Sequence, residues 1–176
     1  MGGLVVAALA CERKVDTDLV VLSGPALSLS PDISRSKLFF ARLLRRLAPR
    51  FSMAAGLDAS GISRDPEVVR NYQEDPLVHG QITASMGAEM FEAIERVSGK
   101  ANMLSVPTLL MHGESDPICR VEGSQLFFDS LSQEGAAAGS ELRIYPNLRH
   151  EIFNEPERAR VYDDVHDWIL RLGPHE

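Results

Sequence analysis

Two side chains stand where an acid and a base can work together: Asp116, in "HGESDP", and His150, in "YPNLRHEIFNEP". Each follows a short apolar run, so each belongs on a loop leaving the carboxyl end of a strand. A histidine held by a carboxylate takes a proton from a hydroxyl and later returns it to a leaving group. The carboxylate fixes the tautomer and stabilises the charged ring. Taken singly, Asp116 before Pro117 caps a turn or the helix that follows just as well, and His150 is an ordinary loop histidine. The chemistry is in the pair.

Such a pair needs a nucleophile, and two internal serines offer themselves. In "TASMGA" Ser85 echoes the G-x-S-x-G elbow, but Thr83 stands at the first glycine and no strand is expected to lead into it. In "GESDP" Pro117 stands at the second glycine, and Ser115 directly adjoins Asp116. Neither is assigned. The opening "MGGLVVAALA" supplies another reading. If Gly-x-Ser preceded Met1, Gly2 would close the elbow and the apolar stretch would be the helix after it. The backbone nitrogen of Met1 would then be an oxyanion donor. On this expectation the chain begins one residue after the nucleophile, and by itself it is a poor catalyst.

The elements must bring these groups together. Residues 3–14 suit a helix apolar on nearly every side, which predicts burial on more than one face. "DLVVLSGP" (18–25), "VPTLLMHGESD" (106–116) and "ELRIYPN" (141–147) read as buried strands. "RVEGSQLFFDSLSQ" reads as a helix between the second and third. A last helix is predicted from Asn154 as cap with Pro156 in its first turn. It carries Val161, Val165, Trp168, Ile169 and Leu172 as a core stripe. Helices alternating with apolar strands predict an α/β fold with a parallel sheet covered on both faces.

The stretch from about 27 to 100 breaks that rhythm. It shows helical segments and no convincing strand, including Asp65 capping "PEVVRNYQED". It also shows "ITASMGAEMFEAIERV", with Ile82, Met86, Met90, Ile94 and Val97 on one side. It reads as a helical cap, which divides the chain into core (1–26), cap (27–100) and core (101–176). Within it, 34–50 carries Arg35, Lys37, Arg42, Arg45, Arg46 and Arg50, with Phe40, Leu43, Leu44 and Leu47 opposite. A basic amphipathic helix of this kind lies at a membrane interface or closes over a channel with its charges in water.

The totals exclude several classes. A formal charge of −7 over 176 residues argues against a nucleic-acid partner. Cys11 and Cys119 are too few and too far apart for a disulfide framework or a zinc site. No apolar stretch reaches the length of a membrane span. "LVVAALAC" lacks the basic n-region of a secretory signal. His112, at a strand end, supports the acid loop; His166 and His175 read as surface or tail residues, and Cys119 as packing. Asn154 and Glu155 either steady the histidine loop or cap the helix after it.

"MGG" at 1–3, "ISRDPEVVRNYQEDPLVHG" at 62–80, "VPTLLMHGESDPI" at 106–118 and "YPNLRHEIFNEPER" at 145–158 together span almost the whole chain. In these stretches the sequence resembles the monoacylglycerol lipase and lysophospholipase group of α/β hydrolases, with their S33-type domain. The resemblance implies the C-terminal part of an α/β-hydrolase fold with a helical cap over an acyl channel. It implies Asp116 as acid, His150 as base, and hydrolysis of a small lipid ester through a serine acyl-enzyme. It requires no metal or organic cofactor. Phe40, Leu44, His79 and Met90 are the cap residues expected to face the substrate, and the expected setting is cytoplasmic with peripheral membrane contact through 34–50. Rival readings are a non-catalytic lipid- or partner-binding relative, and another α/β-hydrolase chemistry such as peptidase or epoxide hydrolase action. Acyl length, head group and oligomeric state are not legible.

Overall fold

The computed structural model describes residues 1–12, 16–28, 35–131 and 137–173, and of 35–38, 40 and 41 the backbone alone. In chain order the elements are α1 (Gly2–Glu12), β1 (Val20–Ser23), α2 (Arg35–Leu47), β2 (Ser52–Ala54), α3 (Pro66–Glu74), β3 (Gln81–Thr83), α4 (Ala84–Ser98), β4 (Thr108–Gly113), α5 (Val121–Asp129), β5 (Glu141–Tyr145) and α6 (Arg158–Leu172). Single 3-10 turns stand at Ala59–Gly61, Ala101–Met103 and Ile152–Asn154.

β1, β4 and β5 form a three-stranded parallel sheet with β4 in the middle. Leu22 pairs with Leu110, and Met111 with Arg143, so the three carboxyl ends lie side by side. Every residue of β4 is buried, as a strand covered on both faces must be. Because successive side chains alternate, Leu110 joins Leu4, Ala7, Cys11, Ile94, Val97 and Phe127 on one side. Leu109 and Met111 join Tyr145, Ile152, Val161 and Trp168 on the other. The three strands stand where the apolar patterning puts them, as do Val161, Val165, Trp168 and Leu172 of the α6 stripe; Ile169, expected in that stripe, is exposed.

Three expectations are corrected. The first concerns the insertion, which does contain strands: β2 and β3 pair antiparallel, Met53 opposite Ile82. Each is three residues long, too short to show an alternation. Ile82 is therefore in a strand, and Thr83 caps α4 by accepting from the Met86 amide at 3.2 Å. The second concerns the last helix, which does not begin at Asn154. That residue lies in a 3-10 turn, with its side-chain amide on Glu151 at 2.7 Å. Glu155 precedes Pro156, and the proline ring pushes the residue before it out of the helical region. Glu155 is accordingly extended, at φ −79° and ψ 159°, and α6 starts only at Arg158. The third concerns α1, which buries one face, Leu4, Ala7 and Cys11, while Val5, Val6 and Leu9 are exposed.

Candidate active site

The acid comes off β4. A side chain at Gly113 would collide with the carbonyl oxygens of Leu148 and Arg149. Glycine there is what lets the loop after β5 lie directly on the loop after β4. The two loops are then stitched by their backbones: the Glu114 amide donates to Tyr145 and the Ser115 amide to Leu148, both at 2.9 Å. Asp116 Oδ1 accepts from the amides of Ile118 at 2.8 Å and Cys119 at 2.9 Å, a side-chain turn of the kind aspartate favours. Its Oδ2 is thereby left for side chains.

Two histidines take it. His150 Nδ1 lies 2.7 Å from Oδ2, and His112 Nε2 lies 3.1 Å from the same oxygen. His112 Nε2 also lies 2.9 Å from the carbonyl of Cys119, and its Nδ1 2.8 Å from Ser124 Oγ. A carbonyl and a carboxylate only accept, so Nε2 of His112 carries the hydrogen; Nδ1 of the neutral ring then accepts from the serine hydroxyl. The same reasoning puts a proton on His150 Nδ1 and leaves its Nε2 as a lone pair, with no hydrogen-bond partner among the described residues. That is the nitrogen a general base needs. Asp116 has no exposed side-chain surface, whereas His150 keeps 22%.

β1 completes the setting. Gly24 follows it with φ +51°, a conformation other residues adopt at a cost. A Cβ there would stand 3.2 Å from the His150 ring. The ends of all three strands therefore converge on one imidazole.

Burial by itself pushes the Asp116 carboxyl up, but hydrogen bonds from His112, His150 and the Cys119 amide overcome it. The net result holds the group well below the usual carboxylate range. The Cys119 thiol moves the other way, pushed up to about 11 by burial and by the charge of Asp116. The start of α1 reaches the same neighbourhood through Gly3, where a Cβ would stand 2.8 Å from that of Pro25, the residue after Gly24. Asp116, Cys119 and His150 each offer a ligand-type atom, all within 4.8 Å of one another. However, the carboxylate and Nδ1 are already joined and the thiol is held protonated. The donor set suits an acid–base pair with a thiol beside it better than a cation site.

Asp116, His150 and His112 are thus brought together; Met1 is exposed just before α1. His79 is exposed, and Leu44 and Met90 are half-buried; none is hydrogen-bonded to the pair. The side chain of Phe40 and the whole of His175 lie outside the described residues. His166 is exposed beside Asp167. A strand, β3, does lead into Ser85, contrary to expectation, but it belongs to the antiparallel pair of the insertion. No hydrogen bond links Ser85 to either histidine among the described residues. Sequence reasoning missed Gly24, whose "SGP" context reads only as a strand end. It also missed Arg64 and Arg149, whose contacts with Glu155 cross 91 and 6 positions of chain. An arginine directly before the histidine was the available signal.

A family model described as serine aminopeptidase, S33, matches residues 1–157. A monoacylglycerol lipase of Mycolicibacterium smegmatis is 37% identical over 171 residues, 97% of this chain and 59% of that protein. A monoglyceride lipase of Rattus norvegicus is 28% identical over 173 residues, 96% of this chain and 55% of that protein. Among solved structures, Paleococcus ferrophilus monoacylglycerol lipase superposes with a TM-score of 0.89 at 32% identity, covering 97% of this chain and 65% of that one. A soluble variant of Saccharomyces cerevisiae monoglyceride lipase, in complex with a substrate analog, superposes at 0.81 and 25% identity, over 99% of this chain and 60% of that one. The chain therefore spans under two thirds of the length of the relatives it matches.

Proposed function

This chain belongs to the serine aminopeptidase S33 family of α/β hydrolases, and we propose that it carries the acid–base machinery of a carboxylic ester hydrolase acting on monoacylglycerols or lysophospholipids. The observation that carries the reading is the 2.7 Å contact of His150 Nδ1 with Asp116, with no hydrogen-bond partner on Nε2 among the described residues. In the proposed cycle His150 Nε2 takes the proton of a serine hydroxyl as its oxygen attacks the ester carbonyl. The ring then passes that proton to the departing alcohol. Water, activated by the same nitrogen, releases the fatty acid and restores the serine. Asp116 keeps Nδ1 protonated throughout and stabilises the imidazolium.

The nucleophile in this reading is a serine immediately before Met1, with the Met1 amide as one oxyanion donor. The packing of Gly3 against Pro25, next to the glycine that touches the His150 ring, supports it. Residues 27–100 form the cap over the acyl chain in this proposal, with Leu44, His79 and Met90 toward the substrate. Contact with a membrane surface belongs to the same proposal. Arg42 and Arg45 are turned onto Glu89, Glu92 and Glu95 of α4, while Leu43 and Leu47 of α2 are exposed. Among the described residues no helix is long and apolar enough to cross a bilayer. We assign a cytoplasmic enzyme that meets lipid at its surface.

The test is the reading frame upstream of Met1, followed by hydrolysis of 1-oleoylglycerol by the chain extended to include it. A Gly-x-Ser directly upstream, with turnover that falls by roughly 10⁶ on His150→Ala, is expected, as for loss of a triad histidine in other serine hydrolases. Lipid binding without turnover in that extended chain would favour the non-catalytic relative instead.

A further inference from the structure

We propose that Glu155 is a positioning residue for His150, a buried carboxylate that ties the loop carrying the base to the segment 59–65. This rests on His150 being the base of the site. Glu155 has no exposed side-chain surface, and its two oxygens face different stretches of chain. Oε1 accepts from the backbone amide of Arg149 at 2.6 Å. Oε2 accepts from both the backbone amide and Nε of Arg64, each at 3.1 Å. The amide of Arg149 lies one residue before His150, so fixing it fixes the direction in which the imidazole leaves the chain.

Other contacts show that the two stretches are meant to be held as one. His150 and Glu151 donate their amides to the carbonyls of Gly61 and Ile62 at 3.3 and 2.8 Å. The Arg149 guanidinium donates to the carbonyls of Ser60 and Ser63, and Ser63 Oγ donates to that of Asn154 at 3.0 Å. Gly61 in turn lies so close to Pro117 that a Cβ would stand 2.7 Å from its ring. The segment 59–65 thus touches the acid loop as well as the histidine loop.

Helix capping does not account for Glu155. The residue before α6 is Glu157, and no side chain caps that helix. Nor does burial for its own sake, because removing a carboxylate from water costs several kcal/mol unless its hydrogen bonds are complete. An apolar side chain would fill the space more cheaply. A carboxylate contributes two acceptors pointing apart, each answered by a donor from a different loop.

The experiment is proton NMR of the 176-residue chain with ¹⁵N-labelled histidine, following the low-field Nδ1 proton of His150 and the Nε2 proton of His112. Both are bonded to Asp116, but His112 sits on β4, so it serves as an internal control. In Glu155→Met, Arg64 keeps Glu157 as ion partner, and the amides of Arg64 and Arg149 lose their acceptor. The expected result is loss of the His150 signal with the His112 signal retained. Glu155→Gln keeps one acceptor and should show the His150 proton exchanging roughly tenfold faster, the equivalent of one hydrogen bond. If Glu155→Met does not fold, the Gln variant decides alone. An unchanged His150 proton in the folded variants, or parallel loss of both histidine signals, overturns the proposal. Neither signal requires turnover, so a negative result leaves the ester-hydrolase reading standing, and absence of turnover leaves this one standing.

Discussion

The Asp116 side chain has no exposed surface, and four protein donors answer its charge: two amides on one oxygen and two imidazoles on the other. That is why its pKa falls although burial works in the opposite direction. With the folded pKa below the unfolded value of about 3.9, the stabilisation is complete above that value and is lost as pH falls through the folded pKa. Asp116→Asn removes it at every pH. Urea unfolding should therefore show wild type more stable than Asp116→Asn by about 2–3 kcal/mol at neutral pH, the worth of hydrogen bonds to a buried charge. The gap should close as pH falls below about 4 and the carboxylate is protonated. A gap that widened below about pH 4 would contradict the hydrogen-bonded carboxylate. The meeting of Asp116 with His150 was legible in the sequence because their types, order and strand-end positions are local facts. The second histidine on the acid was legible only as support for the loop, since His112 and Asp116 meet through the turn at Gly113, which sequence spacing does not display.

At the scale of elements, the loops after β1, β4 and β5 pack without room between them, and two glycines test that closeness differently. Gly113→Ala would drive a methyl into the carbonyls of Leu148 and Arg149, both of them backbone atoms that cannot swing aside. About 3 kcal/mol of destabilisation is expected, the upper range for overpacking, read as a lowered urea midpoint. Gly24→Ala meets the His150 ring and carbonyl at 3.1–3.2 Å in a left-handed conformation. It should lose only about 1–2 kcal/mol, yet shift the His150 ring resonances, which Gly113→Ala need not do selectively. Equal losses from both would mean that the loops are looser than their packing implies. The strands themselves were readable, because apolar runs closed by glycine or proline have few other uses. The start of α6 was misplaced because Asn154 and Pro156 imitate an N-terminus, while the rule that the residue before proline is extended favours a later one. β2 and β3 were invisible: three residues give no period, and pairing across 26 intervening residues of chain is a tertiary event.

Over the whole molecule, the insertion reverses the expected arrangement of a basic amphipathic helix. Phe39, Leu43 and Leu47 recur every four residues, so they share one side of α2, and all three are exposed, Leu47 at 74%. Phe51 and Met53, just beyond it, are exposed too. The arginines point elsewhere: Arg42 to Glu92 and Glu95, Arg45 to Glu89 and Glu92. A protein held to lipid by free arginines binds anionic vesicles far better than neutral ones, and salt releases it. In the proposed membrane contact the α4 glutamates neutralise two of those charges, so apolar burial would be the main attraction, with exposed Arg46 and Arg50 adding a smaller electrostatic part. Sedimentation with phosphatidylcholine vesicles should therefore show binding that survives 0.5 M salt to within about threefold. Adding phosphatidylserine should strengthen it only modestly. Leu47→Asp should weaken it by roughly tenfold or more, since a buried leucine is worth about 1.5–3 kcal/mol. Arg45→Ala should weaken it little, because its partner is a glutamate on α4 and not a lipid phosphate. Binding confined to phosphatidylserine and abolished by salt would instead return the arginines to the membrane-facing role their spacing first suggested, and would require α2 to leave α4 when it meets lipid.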